Sequence, residues 1–191
     1  MGTPFSADGT FGTRTSVTSQ AYTDNNQAKK ALSNGPDNDH EHLPLLGHPG
    51  LLSNARKIVF DATPEEEATI ASIQTIAGTG ANHLGALLLA KGCRPHTVWI
   101  SDPSWINHHE IWTLVDPTIK RQTYPYFSPE TFTVDFAGMV HTLRTRAVAG
   151  DIVVLHGCAH NPTGLDLTRD QWRIVADVCE RQALVPFFDL A

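Results

Sequence analysis

An α/β fold, with helices flanking a largely parallel sheet, is what this sequence predicts, and three observations lead there. Ile152, Val153, Val154 and Leu155 form a β-branched run suited to a strand buried on both faces, and Asn161-Pro162-Thr163-Gly164 breaks the chain sharply after it. Two further short runs, Thr97 to Ile100 and Val185 to Phe188, end in the same way on polar residues, Ser101-Asp102-Pro103 and Asp189. Segments with helical spacing lie between these runs, and strands alternating with amphipathic helices are the pattern of a parallel sheet.

Taken in order, residues 1–39 are polar, rich in Gly, Asn, Asp and Ser, and lack a sustained period, so a poorly ordered N-terminal segment is expected there and the folded part over 40–191. Thr63-Pro64-Glu65-Glu66-Glu67 has the grammar of a helix start: a hydroxyl cap, a proline at the first helical position, and acids at the positive end of the dipole. Ala77-Gly78-Thr79-Gly80 opens the next helix, which continues through Leu84, Leu87, Leu88 and Leu89. Backbone amides freed at that terminus, with the Thr79 hydroxyl, would cradle a phosphate dianion. Close packing is the alternative use of these glycines. A dinucleotide loop is a poor fit, because Gly78, Gly80 and Gly85 give G-x-G-x-x-x-x-G. Ile119 to Tyr126 supplies another strand. Asp135 then caps a helix whose Phe136, Met139, Val140 and Leu143 fall at i, i+3, i+4 and i+7, with Met139 in the core. Thr168-Arg169-Asp170-Gln171 is a capping box ahead of the stripe Trp172, Val175, Ala176 and Cys179.

Composition excludes several classes. A chain of 191 residues with a net charge of -6 and no basic run gives no reason to expect nucleic acid or an anionic membrane as partner. No apolar stretch is long enough to span a bilayer. Cys93, Cys158 and Cys179 are odd in number and lack a C-x-x-C pair, which argues against a disulfide framework and favours a reducing compartment, the cytoplasm, with the mitochondrion also open. The first twenty residues have neither the charge nor the apolar core of a signal peptide. His156, Cys158 and His160 give H-x-C-x-H, but no fourth ligand stands at suitable spacing, so a metal is not expected. A G-x-S-x-G elbow is lacking, which leaves a serine hydrolase unsupported.

Four blocks taken together, SIQTIAGTGANHLGA, WISDPSWINHHEIW, VVLHGCAHNPTG and VPFFDLA, are far more specific than any one of them. In this order they resemble the class I aminotransferases that use pyridoxal 5'-phosphate, and within them the aspartate aminotransferases, from about His40 to Ala191. The resemblance implies the cofactor-binding large domain of a fold type I transferase, here incomplete. It implies that Gly78 and Thr79 hold the cofactor phosphate and that Trp105 lies on the pyridine ring. Asn161 would bond the ring's phenolate oxygen, and Trp105 and Asn161 would also meet the substrate. Asp189 would pair with the pyridine nitrogen, with His108 orienting its carboxylate from behind and His156 serving in packing and hydrogen bonding rather than as a metal ligand. Asp102-Pro103 and Asn161-Pro162 are expected to be cis.

The same resemblance implies amino acid and 2-oxo acid substrates and a homodimer. His42 stands where the family has a tyrosine that reaches the phosphate of the neighbouring subunit. Ala21 to Asn26 is faintly similar to the family's Gly-Ala-Tyr-Arg-Asp segment, with Gln20 for the glycine and Thr23 for the arginine. Family members continue past the point matching Ala191 into a tyrosine, the lysine that binds the cofactor covalently, and an arginine for the substrate carboxylate. None of Lys29, Lys30, Lys57, Lys91 or Lys120 occupies that lysine's motif. A chain without that amine has no covalent attachment and no general base, so the expectation is a fragment with no catalytic residue of its own and little or no turnover. The alternative is a non-catalytic chain that binds cofactor or pairs with a complete subunit.

Overall fold

The computed structural model describes residues 16–35 and 42–190, with side chains from residue 23 onward. The chain divides into two compact units, Met1–Leu45 and Leu46–Ala191. In the first, α1 spans Ser16–Ser33, so the described part of the segment expected to be poorly ordered is largely helical, while residues 1–15 and 36–39 lie outside the described residues. No Gly or Pro interrupts this stretch, and Gln27, Ala28, Lys29, Lys30, Ala31 and Leu32 are strong helix formers. The helix rests on propensity rather than on an apolar stripe, so a search for periodicity passes over it. The boundary between units also falls later than residue 39. His40 and Glu41 lie outside the described residues, as do the side chains of Gln20, Ala21 and Tyr22, while His42 is exposed.

The second unit opens with α2 (Pro49–Phe60), where the Nδ1 of His48 accepts the Leu51 N–H at 3.3 Å. The expected Thr63 cap forms, as a capping box with Glu66, yet α3 (Pro64–Glu67) is a single turn. The chain then runs without regular structure to α4 (Ala77–Cys93), held by Gln74, whose N–H donates to the Leu46 carbonyl and whose Oε1 accepts the His48 N–H, both at 2.8 Å. There follow β1 (Thr97–Asp102), α5 (Ile106–Val115), β2 (Lys120–Pro125), the short β3 (Phe127–Ser128) and β4 (Thr133–Val134), α6 (Phe136–Arg146), β5 (Ile152–Cys158), α7 (Arg169–Arg181) and β6 (Val185–Leu190). Asp135 caps α6 by accepting the Gly138 N–H at 2.9 Å, and the Thr168–Gln171 box caps α7. Among the described residues no helix is long and apolar enough to cross a membrane.

The main sheet has the order β2-β1-β5-β6 with every pairing parallel, and β3 and β4 form a separate antiparallel pair. Side-chain alternation along the strands sorts the core into two layers. Trp99, Val153 and Leu155 face one layer with Met139 and Leu143 of α6 and Val175 and Val178 of α7. Val98, Ile100, Ile152 and Val154 face the other with Ala86 of α4 and Ile111 and Trp112 of α5. A Cβ at Gly85 would come within 2.8 Å of the Phe187 ring, so this glycine lets α4 lie close to the sheet. Close packing is thus the use found for one of the three glycines. The buried Asp151 accepts the Thr97 N–H at 3.1 Å, the Trp99 indole N–H at 2.9 Å and the Val148 N–H at 3.1 Å, tying β1 to the entry of β5.

Connectivity runs from β1 outward to β2 on one side, and from β5 outward to β6 on the other. The carboxyl ends of β1 and β5 therefore flank a switch point, where open α/β sheets bind ligands. Their register makes the opening physical. The β1–β5 pairing covers only Val98↔Ile152 and Trp99↔Val153, whereas β1–β2 continues to Asp102↔Pro125 and β5–β6 to Cys158↔Leu190.

Candidate active site

A cavity of ≈ 200 Å³ opens at this end of the sheet. Gly78, Trp105, His156, Asn161 and Asp189 all line it, so residues spread over more than a hundred positions of sequence converge. Each arrives from a different element: Gly78 from the first turn of α4, Trp105 from the residue before α5, His156 from β5, Asn161 from the loop after it, and Asp189 from β6. His108 lies fully buried behind Asp189. Thr79 is the exception. It stands exposed one residue beyond Gly78 and does not line the cavity.

Both Asp102-Pro103 and Asn161-Pro162 are cis, as expected. Two alanines at the site adopt left-handed backbone, Ala77 with φ 55 and Ala159 with φ 50. Such a conformation costs an L-residue about 1–2 kcal/mol, a strain that tends to collect where a site demands a backbone direction. The N-terminus of α4 has no side-chain hydrogen bond closing it, so its first amides remain available beside Gly78.

Behind the cavity runs a continuous chain of hydrogen bonds. His108 Nε2 lies 2.8 Å from Asp189 Oδ2, His108 Nδ1 lies 3.0 Å from Ser104 Oγ, and Ser104 Oγ lies 3.2 Å from His156 Nε2. The Asn161 backbone N–H donates to His156 Nδ1 at 3.2 Å. The direction of the chain follows from its two ends. An amide can only donate, so His156 carries its proton on Nε2 and donates to Ser104; a carboxylate can only accept, so His108 donates from Nε2. The Ser104 hydroxyl, accepting from His156, donates in turn to His108 Nδ1. The His108 hydrogen bond holds the Asp189 carboxyl below its usual range, against the opposing effect of burial, and the Asn82 amide adds to the lowering. Burial, with the nearby His160 and His108, pushes His156 down to about 4, so it is neutral at pH 7.

His160 is buried against the His156 ring, the two stacked with centroids 4.2 Å apart. Its Nε2 lies 3.0 Å from Ser101 Oγ, its Nδ1 2.9 Å from Thr163 Oγ1, and its ring stacks on Tyr126 at 3.7 Å between centroids. Burial lowers it to about 4 as well. Both imidazoles of the H-x-C-x-H stretch thus have their nitrogens committed to protein partners, while Cys158 is exposed.

Three participants escaped the sequence reading. Ser104 sits four residues before His108, and Asn82 four residues after Gly78, so helical spacing was the available signal for each. The Ser101–His160 contact carried no such signal, since its members are separated by 59 positions.

A parallel sheet with a cleft at its switch point, lined by a carboxylate, an indole and an open helix terminus, defines a ligand-binding α/β protein. The model of the family described as aminotransferase class I and II matches residues 13–191, and the chain belongs to that pyridoxal-phosphate-dependent family. It is 47% identical over 159 residues to an L-tyrosine:2-oxoglutarate aminotransferase of Aspergillus ustus, covering 80% of this chain and 30% of that protein. With the cytoplasmic aspartate aminotransferase of Saccharomyces cerevisiae the identity is 38% over 166 residues, covering 86% of this chain and 39% of the relative. The solved structure of an aspartate aminotransferase from S. cerevisiae cytoplasm superposes with a TM-score of 0.79 at 36% identity, covering 86% of this chain and 40% of that one. An aromatic-amino-acid aminotransferase from Burkholderia pseudomallei, covalently bound to pyridoxal phosphate, superposes at 0.77 with 35% identity, covering 90% and 42%. The chain therefore spans well under half the length of these relatives.

Proposed function

We propose that this chain supplies the non-covalent cofactor seat of an aminotransferase that exchanges an amino group between an amino acid of the aspartate or tyrosine type and a 2-oxo acid. The observation that carries the proposal is the His108–Asp189 pair, 2.8 Å apart, with Asp189 facing the same cavity as Trp105 and the open terminus of α4. That donor set fits pyridoxal phosphate at each part. Free amides at Gly78 suit an anionic tail, the indole of Trp105 suits a flat ring, and an ionised carboxylate suits a protonated ring nitrogen.

When bound, the cofactor supplies an electron sink for the charge left as the substrate's Cα proton departs. The first turn of α4 binds the phosphate, and the exposed Thr79 hydroxyl is available to it as a further donor. Trp105 holds the ring plane and excludes water from one face. Asp189, kept ionised by His108, retains the proton on the ring nitrogen, and Asn161 orients the opposite, oxygen-bearing edge. His156 keeps the Asn161 backbone and the Ser104 hydroxyl in place.

None of Lys29, Lys30, Lys57, Lys91 or Lys120 lines the cavity, so residues 1–191 are proposed to bind the cofactor without bonding to it and to have little or no turnover alone. A homodimer in the complete enzyme and a cytoplasmic setting belong to the same proposal, the latter supported by relatives named as cytoplasmic. The test is equilibrium dialysis of the chain with pyridoxal phosphate, followed by borohydride reduction. Saturable binding that weakens in Asp189→Ala, with the cofactor still dialysable after reduction, is the expected result. No saturable binding would overturn the cofactor seat, and covalent trapping with activity on aspartate would overturn the non-covalent part.

A further inference from the structure

The loop that carries Asn161 joins β5 to α7, and of residues 158–166 only His160 is buried. It is 1% exposed, although Ala159 before it and Asn161 after it are both exposed. Its ring stacks on Tyr126 and on His156. A phenylalanine would stack as well, so the imidazole is explained by its two nitrogens, which meet hydroxyls of Ser101 at 3.0 Å and Thr163 at 2.9 Å. The backbone is held too: the His160 carbonyl accepts the Gly164 N–H at 2.6 Å, and the His160 N–H donates to Asp166 Oδ1 at 3.2 Å.

Three of these hydrogen-bond partners belong to the loop itself, and the fourth, Ser101, belongs to β1. Ser101 lies beyond Trp99↔Val153, the last rung between β1 and β5, so its contact with His160 spans the gap where the two strands have parted. Trp105 follows Ser101 by four residues and Asn161 follows His160 at once. The contact therefore links the cavity wall bearing Trp105 to the wall bearing Asn161. His156 holds the Asn161 backbone N–H, but a single bond leaves the segment free to turn about it. His160 fixes the flank before Asn161 and, through Thr163 and Gly164, the flank after it.

We propose that His160 is a positioning residue that pins the Asn161 loop to β1 and so fixes where Asn161 stands in the cavity wall. This rests on Asn161 meeting the oxygen-bearing edge of the cofactor ring. The test uses His160→Phe, which keeps a flat ring against Tyr126 and removes both bonds to hydroxyls. Amide hydrogen exchange of the full chain without cofactor is the first measurement. The Asn161, Gly164 and Leu165 amides are expected to exchange about tenfold faster or more, with those of Val153 and Val154 in β5 unmoved. The second measurement compares affinity for pyridoxal phosphate and for its 3-deoxy analogue, which lacks the ring oxygen. Pyridoxal phosphate should bind about five- to tenfold more weakly and the analogue less than about twofold more weakly. Asn161→Ala should show the same contrast, and adding His160→Phe to it should change little further.

Unchanged exchange in the loop overturns the pin, as does an equal rise throughout β5. Equal weakening of both ligands, or losses that add in the double variant, overturns the positioning of Asn161. Should His160→Phe fail to fold, Ser101→Ala, which removes the bond from strand to loop and leaves the stacked rings, decides by the same measurements. Exchange is read without cofactor, so the two proposals fail separately. Faster loop exchange in a chain that binds neither ligand keeps the pin and sinks the cofactor seat, while intact binding with unchanged exchange does the reverse.

Discussion

The backbone N–H of Asn161 donates to Nδ1 of His156 at 3.2 Å, and this one contact sets which nitrogen of the imidazole carries the proton. Every later donor in the chain to Asp189 takes its direction from it. Replacing His156 by Phe leaves the Asn161 amide and the Ser104 hydroxyl without their partner in a half-closed site. A loss of about 1–3 kcal/mol is expected in chemical denaturation, together with weaker pyridoxal phosphate binding. A fully stable variant with unchanged affinity would show that the chain has no bearing on the site.

Acid sensitivity follows from the two buried imidazoles. His156 and His160 are both held near about 4 in the folded chain, against about 6.5 when unfolded. The unfolded state therefore takes up protons first as pH falls, so the stability these residues contribute is complete above about 6.5 and is lost progressively toward about 4. Asp189, whose folded pKa is depressed, adds a loss of the same sign at lower pH, as the carboxylate titrates. Melting temperature should decline between pH 7 and pH 4.5, and His160→Gln should flatten the decline. An equal slope in that variant would remove His160 from the account.

Asp151 lies at the opposite end of the sheet from the cavity and accepts three donors while 1% exposed. Truncation to Ala strands a backbone amide of β1, the Trp99 indole and the Val148 amide together. A destabilisation of about 3–5 kcal/mol is expected from denaturant titration, larger than the loss expected from His156→Phe in the cavity wall.

Relief of backbone strain gives a prediction of opposite sign. Ala77 and Ala159 carry positive φ values of 55 and 50, and glycine adopts that region freely. Ala159→Gly should be neutral or stabilising by up to about 1 kcal/mol, because its loop gains nothing from the methyl group. A clear loss of stability would mean that the Ala159 Cβ makes contacts worth more than the strain.

How far the sequence went depended on the range of the signal. Ile152 to Leu155, the Asp135 cap and the Thr168–Gln171 box act within a few residues, and each element formed where its local chemistry put it. At Thr63 the same local chemistry was correct and insufficient: the capping box formed, but α3 ended after one turn. Helix α5 passed unnoticed because Ile106-Asn107-His108-His109 gives no clean stripe, its buried His108 being chosen by Asp189, 81 positions away. The motif resemblance grouped Gly78, Trp105, His156, Asn161 and Asp189, which line one cavity, with Thr79, which stands exposed beside Gly78. Ser101 and Ser104 gain their meaning from His160 and His156, partners that folding brings close.

The ladder between β1 and β5 ends at Trp99 and Val153 while the outer pairs carry on. In mechanical terms the sheet is a zipper left undone at one end, and the binding chamber is the undone part. Loops around that mouth can change, and with them the molecules admitted, without disturbing the fastened rungs below; a substitution that drew the two central strands together by another rung would shut the chamber while leaving the rest of the fold intact.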